Sequence, residues 1–260
     1  MKTITLLILF LLSIGKAMAN EWKIYASYHN ISKAIKTDAR IFALANGGLF
    51  SYDTEDSRVM GYDKTNALSD FGVYDIAYSA TEKKLVVLYE NGNVDLLGMD
   101  GTRWNLPDIK SKTLGDKTLN ELKVVNGEAF ISLNAGLAHI NLKGGYFVNL
   151  YTFDSKVTNA TLQNGKIYAK TATGVMEGDL ANNLLDKGNW TAVAANKVTV
   201  GPTAAEKAEA EAAMGQVKGI VIDSPLRNWS YKLNMVGNRL LVAGGNFYYP
   251  NVNHTGCVLR

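Results

Sequence analysis

Cysteine is almost missing from this chain. Cys257 is the only one in 260 residues, so no internal disulfide can form and the fold must rest on its core. With no histidine near it in a nucleophile-like spacing, Cys257 reads as a small structural residue. Histidine is scarce too. His29, His139 and His254 stand far apart and lack the His-Glu-x-x-His spacing of a zinc helix. His139 falls in an apolar run and is expected to be a hydrogen-bonded structural group. No Gly-x-Ser-x-Gly elbow, P-loop or EF-hand loop occurs. Carboxylates gather in turns, as at Asp53, Glu55 and Asp56, where solvation is their ordinary fate. Two of them would serve glycoside hydrolysis only if a groove brought them together. The expectation is therefore a protein that is not an enzyme, with no cofactor and no metal. The sequence singles out no ligand-binding residue.

Neither sign of charge dominates, and long apolar runs are confined to the start. Lys2 is followed by an apolar stretch from Ile4 to Ile14 and then by Ala17-Met-Ala19. That order is the pattern of a secretory signal, with Ala17 and Ala19 as the small residues a signal peptidase reads. The stretch is shorter than the roughly 20 residues a spanning helix needs. Residues 1–19 are expected to be removed, leaving Asn20 first, and no Cys follows the cut to carry a lipid. The expected location is the periplasm or the outer-membrane surface of a Gram-negative cell. Loss of Lys2 and Lys16 takes 27 basic side chains to 25 against 24 acidic ones, so the mature chain is almost neutral. Interspersed charge and no basic tract argue against nucleic acid as a partner.

What the sequence does have is 24 glycines, only 4 prolines and many aromatics, a mixture suited to short strands and tight turns. One pattern recurs: apolar strand, turn, apolar strand, glycine, third strand. It appears at Ile41–Tyr52, Leu85–Leu96, Ala129–Ile140, Ile167–Met176 and Leu240–Tyr248. The marker glycines Gly48, Gly92, Gly136 and Gly174 follow one another at 44, 44 and 38 residues, and Gly245 comes 71 later. Propeller blades repeat at about 40–50 residues. Asn126-Gly127 and Asn164-Gly165 are strong hairpin signals. The marker glycines are expected to let neighbouring inner strands converge. Val59–Tyr62, Arg103–Leu106, Tyr146–Leu150 and Asn189–Val193 read as outermost strands. The sustained period favours a β-propeller of four-stranded antiparallel blades over a sandwich, with one domain over residues 20–260.

The long fourth interval holds a helix. Thr203-Ala-Ala-Glu206 is a capping box, Ala204–Met214 is rich in helix formers, and Gly215 can end it. This insertion, near 202–216, has almost no large apolar face and is expected to sit in solvent on the rim. The chain stops where the fifth unit's outer strand is due, and Trp22–Tyr25 resembles a closing strand. An incomplete ring, truncated at its C-terminal end, is expected.

Particular runs resemble one family. They are Ala43–Asp53, Asn66-Ala-Leu-Ser-Asp70, Tyr74–Tyr78, Leu85–Leu96 with its Tyr89-Glu-Asn-Gly-Asn-Val-Asp95, Pro225–Trp229 and Arg239–Gly245. Together they are similar to the N-terminal propeller of the PorZ family, surface components of the Bacteroidota type IX secretion system. Two-component-regulator propellers have similar blades. The resemblance implies a protein of two propellers and a sorting domain that works with other secretion-system surface proteins and delivers anionic lipopolysaccharide, or another glycan, to the sortase complex. It carries over no catalytic residue. The alternative from a different class is the extracellular glycan-sensing propeller of a hybrid two-component regulator.

Overall fold

Short runs of β-branched and aromatic residues, each bounded by turn formers, become strands because they are too brief for helices and bury apolar side chains on a pleated surface. The structure, a computed structural model, describes residue 28, residues 30–218 and the strand residues 230–236, 239–244 and 256–259. Blade 1 consists of β1 (Ile31–Lys36), β2 (Arg40–Ala45), β3 (Gly48–Asp53) and β4 (Val59–Tyr62). Blade 2 has β5 (Val73–Ser79), β6 (Lys84–Tyr89), β7 (Val94–Gly98) and β8 (Arg103–Leu106). Blade 3 has β9 (Leu119–Val125), β10 (Glu128–Leu133), β11 (Gly136–Asn141) and β12 (Tyr146–Tyr151). Blade 4 has β13 (Val157–Gln163), β14 (Lys166–Thr171), β15 (Gly174–Asp179) and β16 (Trp190–Val193). Each is an antiparallel sheet with its strands in sequence order, and a three-stranded sheet follows, made of β17 (Ser230–Val236), β18 (Arg239–Gly244) and β19 (Gly256–Leu259). Among the described residues two α-helices interrupt the strands, α1 (Asp108–Ser111) and α2 (Ala204–Val217).

First strands lie beside first strands: β1 by β5, β5 by β9, β9 by β13. They form the inner ring, and β4, β8, β12 and β16 form the rim, as the repeat predicts. The fold is a β-propeller. Its middle blades are covered on both faces, which explains why every residue of β6 is buried. Leu85 and Val87 face Phe42, Leu44 and Leu49 of blade 1. Val86 and Leu88, on the opposite face, meet Leu122, Ala129 and Ile131 of blade 3. Phe130 and Leu137 continue the core to Val157 and Ile167 of blade 4. Each valine, leucine, isoleucine or phenylalanine among them contributes about 1.5–3 kcal/mol when fully buried.

The predicted hairpins fall where expected. Asn126 and Gly127 have φ of 51° and 76°, and Asn164 and Gly165 have 52° and 74°, each pair joining a first strand to a second. The marker glycine Gly136 has a different reason from the expected one. A Cβ there would meet the Tyr151 carbonyl oxygen at 2.2 Å. The close approach is to the end of the rim strand, not between inner strands.

Helix α2 also departs from expectation. Thr203 and Glu206 form the predicted capping box, but the helix runs past Gly215 to Val217 and is not a solvated excursion. Ala213 and Val217 are each 1% exposed, and with Met214 they pack on Ala34, Ile41, Ala43 and Phe50 of blade 1. Ala213 and Val217 are small side chains, so the docking face of the helix has little hydrophobic asymmetry to reveal it in sequence. The close approach uses alanine, which fits a helix tightly against a sheet at little entropic cost.

Candidate functional site

Asp53 behaves as a turn carboxylate. Its Oδ1 accepts the backbone N–H of Glu55 at 3.0 Å, which holds its pKa below the ordinary value. His139 is buried between the Tyr151 hydroxyl, 3.1 Å from Nδ1, and Glu128, 3.0 Å from Nε2. Burial, with Glu128 nearby, pushes the Tyr151 hydroxyl up to about 12. Cys257 sits on β19 opposite Val242 of β18. His29, His254, Ala17 and Ala19 lie outside the described residues. Among the described residues no group of His, Cys, Asp or Glu is arranged to hold a metal, and no helix is long and apolar enough to cross a membrane.

The chemistry concentrates where each blade receives the segment arriving from the previous rim strand. In blade 2 that segment brings in Leu68, Ser69 and Asp70. Asp95 is 2% exposed and is met by three donors. The Tyr89 hydroxyl donates to its Oδ2, as does the Ser69 N–H at 2.7 Å, and Asn105 Nδ2 donates to Oδ1 at 2.8 Å. Burial, then the Asp95 carboxylate, raises the Tyr89 phenol well above its ordinary range, so it stays a neutral donor. Above this, Asp70 Oδ2 accepts from Lys110 Nζ of α1 at 2.6 Å and from Asn91 Nδ2 at 2.7 Å. Lys110 foremost, then Asn91, hold the Asp70 carboxyl far below its usual range. The Tyr89–Asp95 run is thus a clasp that fixes two interblade connections.

The strand register locates the same position in the other blades. Asp95 pairs with Val87 and Asn105, and the matching cross-strand sets are Ile131–Ala138–Leu150 in blade 3 and Ala169–Met176–Ala192 in blade 4. In blade 1 the set is Ala43–Phe50–Gly61. There the Tyr28 ring meets Phe50 edge-on at 5.1 Å. In blade 3 Ile109 and Leu114 pack into the shared core. In blade 4 small or flexible side chains leave an opening of about 190 Å³ facing blade 3, lined by Phe153, Met176, Trp190, Thr171 and Thr173. Phe153 meets Trp190 edge-on at 4.8 Å. Lys187 and Asp154, 2.6 Å apart, stand at its edge. Sequence reasoning missed this cavity. Marker-glycine spacing sets His139 opposite Asp95, whereas the ladder sets Ala138 there, because the β6–β7 turn is longer than the β10–β11 turn.

A polar belt joins the inner strands. Lys33 of β1 pairs with Asp75 of β5 at 2.6 Å, the Tyr74 hydroxyl donates to the Leu119 carbonyl at 2.8 Å, and Asn120 donates to the Val157 carbonyl at 2.7 Å. Glu121 accepts from Asn159 Nδ2 at 2.8 Å and from the Ala160 N–H at 3.1 Å. Burial pushes its carboxyl up despite those bonds. Lys123 of blade 3 pairs with Glu206 at the start of α2. The other end of α2 rests on blade 1, so the helix ties together two blades that are not neighbours.

The family described as TSS9, PorZ, N-terminal beta-propeller domain matches residues 41–191. The solved structure of PorZ, an essential bacterial surface component of the type IX secretion system of Porphyromonas gingivalis, superposes with a TM-score of 0.63 at 27% identity. The match covers 86% of this chain and 26% of that one, so this chain spans about a quarter of its length. BamB from Moraxella catarrhalis is 19% identical with a TM-score of 0.40, over 55% of this chain and 41% of that one. The extracellular domain of a putative one-component system of B. thetaiotaomicron is 14% identical with a TM-score of 0.46, over 87% and 27%. No curated protein matches the chain.

Proposed function

The chain belongs to the PorZ N-terminal β-propeller family, and on that premise we propose that it is a non-catalytic binding and scaffolding propeller of a type IX secretion machine. It is exported through a signal read at Ala17 and Ala19, and it works at the outer-membrane surface with other secretion-system proteins and a lipopolysaccharide or another glycan. The observation that carries this reading is the family match over residues 41–191, which includes the whole Asp70–Tyr89–Asp95 clasp. The destination of the charged groups supports a scaffold: Lys33, Asp75, Glu121, Lys123 and Glu206 hold blades to blades or to α2.

Deleting the gene in its own bacterium tests the proposal. Type IX cargo is expected to accumulate unprocessed inside the cell envelope and to lose its surface attachment, and the restored gene reverses both. Normal cargo export and attachment in the deletion strain overturns it. Loss of glycan-induced transcription with secretion intact identifies the sensor alternative instead. N-terminal sequencing of the exported protein should begin at Asn20.

A further inference from the structure

We propose that the opening between blades 3 and 4 binds one neutral pyranose ring of a glycan. The proposal rests on the glycan part of the function given above. It names the part of such a ligand that this propeller reads, the sugar ring and not a charged substituent.

The first ground is that the wall has two unlike sides. Phe153 and Trp190 meet edge-on at 4.8 Å, and Met176 lines the same opening. Trp190 is 7% exposed and its Nε1 donates to the Leu184 carbonyl at 2.9 Å, so its ring is held in place and offers only carbon. Thr152, Ser155 and Thr173 make the polar side. A pyranose is built the same way, with C–H groups over its ring faces and hydroxyls around its edge. Small-molecule sites join apolar surface to a few placed polar groups in this manner.

The second ground is that the polar side has hydrogen-bonding capacity left. Among the described residues the Thr152 and Ser155 hydroxyls have no hydrogen-bond partner. The Thr171 hydroxyl donates to the Gly174 carbonyl at 3.0 Å, so the Thr173 proton makes the 3.1 Å contact between the two threonine hydroxyls. The Thr173 oxygen can then accept from a ligand. At the mouth, Lys187 Nζ donates to Asp154 Oδ1 at 2.6 Å, which leaves Asp154 Oδ2 as a further acceptor.

The third ground is charge and size. Lys187 and Asp154 cancel, and among the described residues no other charged side chain lines the opening. A phosphate or carboxylate would meet the Asp154 carboxylate as well as the Lys187 ammonium, so a negative charge gains little there. A hydroxyl can donate to the one and accept from the other. A cavity of about 150 Å³ takes benzene, and this one is about 190 Å³ and open to solvent. That suits a larger six-membered ring whose remaining substituents point outward.

The test is a titration of the full chain, labelled with ¹³C-methyl methionine, with methyl glucoside, methyl galactoside and methyl mannoside in turn, and separately with inorganic phosphate. Met176 is assigned through Met176→Leu. The expected result is a saturable shift of the Met176 methyl at about millimolar concentration of at least one glycoside and none with phosphate. Ser155→Ala removes a hydroxyl that makes no hydrogen bond in the fold, and it should weaken that sugar about threefold to tenfold. Ser155→Trp, in a loop where bulk is tolerated, fills the opening and should abolish the shift. No saturable shift with any of the three glycosides overturns the proposal. So does a shift by phosphate but by no glycoside, or undiminished sugar binding in both Ser155 variants. A saturable sugar shift in a protein whose deletion leaves secretion intact keeps the site and removes the secretion reading. A secretion defect without a sugar shift does the reverse.

Discussion

Blades 2 and 4 are built on the same ladder, yet they treat the face turned to the preceding blade in opposite ways. Blade 2 buries a carboxylate there and surrounds it with a phenol, a backbone N–H and an amide. Blade 4 has a thioether and two threonines around an opening. Neither choice alters the strand order or the apolar layers on either side. A radial repeat takes most of its stability from those layers, so this one position is free to specialise. In blade 2 it acts as a fastener: Ser69 and Asp70 can seat in only one register. In blade 4 it acts as an opening. The difference also shows how a buried charge is tolerated. Asp95 has all three of its donors in place, and such a network is costly only when half satisfied.

The largest effect should come from breaking the clasp. Asp95→Ala takes the acceptor from the buried Tyr89 hydroxyl and leaves the Ser69 N–H only the Tyr89 oxygen at 3.2 Å, while the Asn105 amide keeps Asn93 Oδ1 at 2.9 Å. A loss of about 3–5 kcal/mol is expected, read from the denaturant midpoint. A loss below about 1 kcal/mol would mean that blade 2 is not fastened by this network and that the contrast with blade 4 is cosmetic. Leu68→Ala comes next. Leu68 is 8% exposed and seats in the blade 1–2 core. Its removal should cost about 2–3 kcal/mol, because the site is dry and well packed.

Much of the scaffold was readable from spacing, because a repeating blade needs its turn residues at a fixed interval. Asn126-Gly127 and Asn164-Gly165 announced their turns through the positive φ that the tight hairpin demands. Thr203 and Glu206 announced a helix start. Where α2 docks was not readable, since Ala213 and Val217 differ little from the exposed alanines beside them. The clasp was visible only as an unusually polar run, Tyr89–Asp95. Nothing along the chain shows that Ser69 and Asn105 reach it, because those contacts depend on the folded ladder. The blade 4 opening was hidden for the same reason: turn-length differences shift the register by one residue relative to the glycine spacing, and one residue changes the face.

A third comparison uses alkaline pH. The phenols of Tyr89 in blade 2 and Tyr151 at the blade 3–4 interface are both raised, Tyr151 to about 12 from an ordinary 10. A raised phenol favours the folded state while it is neutral. Its contribution is complete below pH 10 and is lost as pH rises from 10 through about 12. For Tyr151 this is worth about 2 kcal/mol. Stability measured between pH 9 and 12 should fall in the unmodified protein, and Tyr151→Phe should make the fall shallower. An unchanged slope would place the alkaline weakness away from the blade 3–4 interface, at phenols such as Tyr89 and Tyr28.

The smallest effect should come from Met176→Ala, and it bears most directly on the contrast. A side chain with empty space on one side has already forfeited contacts there. Met176 borders the opening, whereas Leu68 is enclosed. Truncating Leu68 leaves a void that the core must keep. Truncating Met176 enlarges a space that water already reaches, so the cavity penalty of about 24 cal/mol per Å³ does not apply and only the transfer cost of the buried part remains. The expected loss is about 1 kcal/mol, less than half that of Leu68→Ala, with an unchanged denaturant slope in both. Equal losses from the two substitutions would mean that blade 4 is as closed and dry in solution as blade 2, and the contrast between the two blades would then fall.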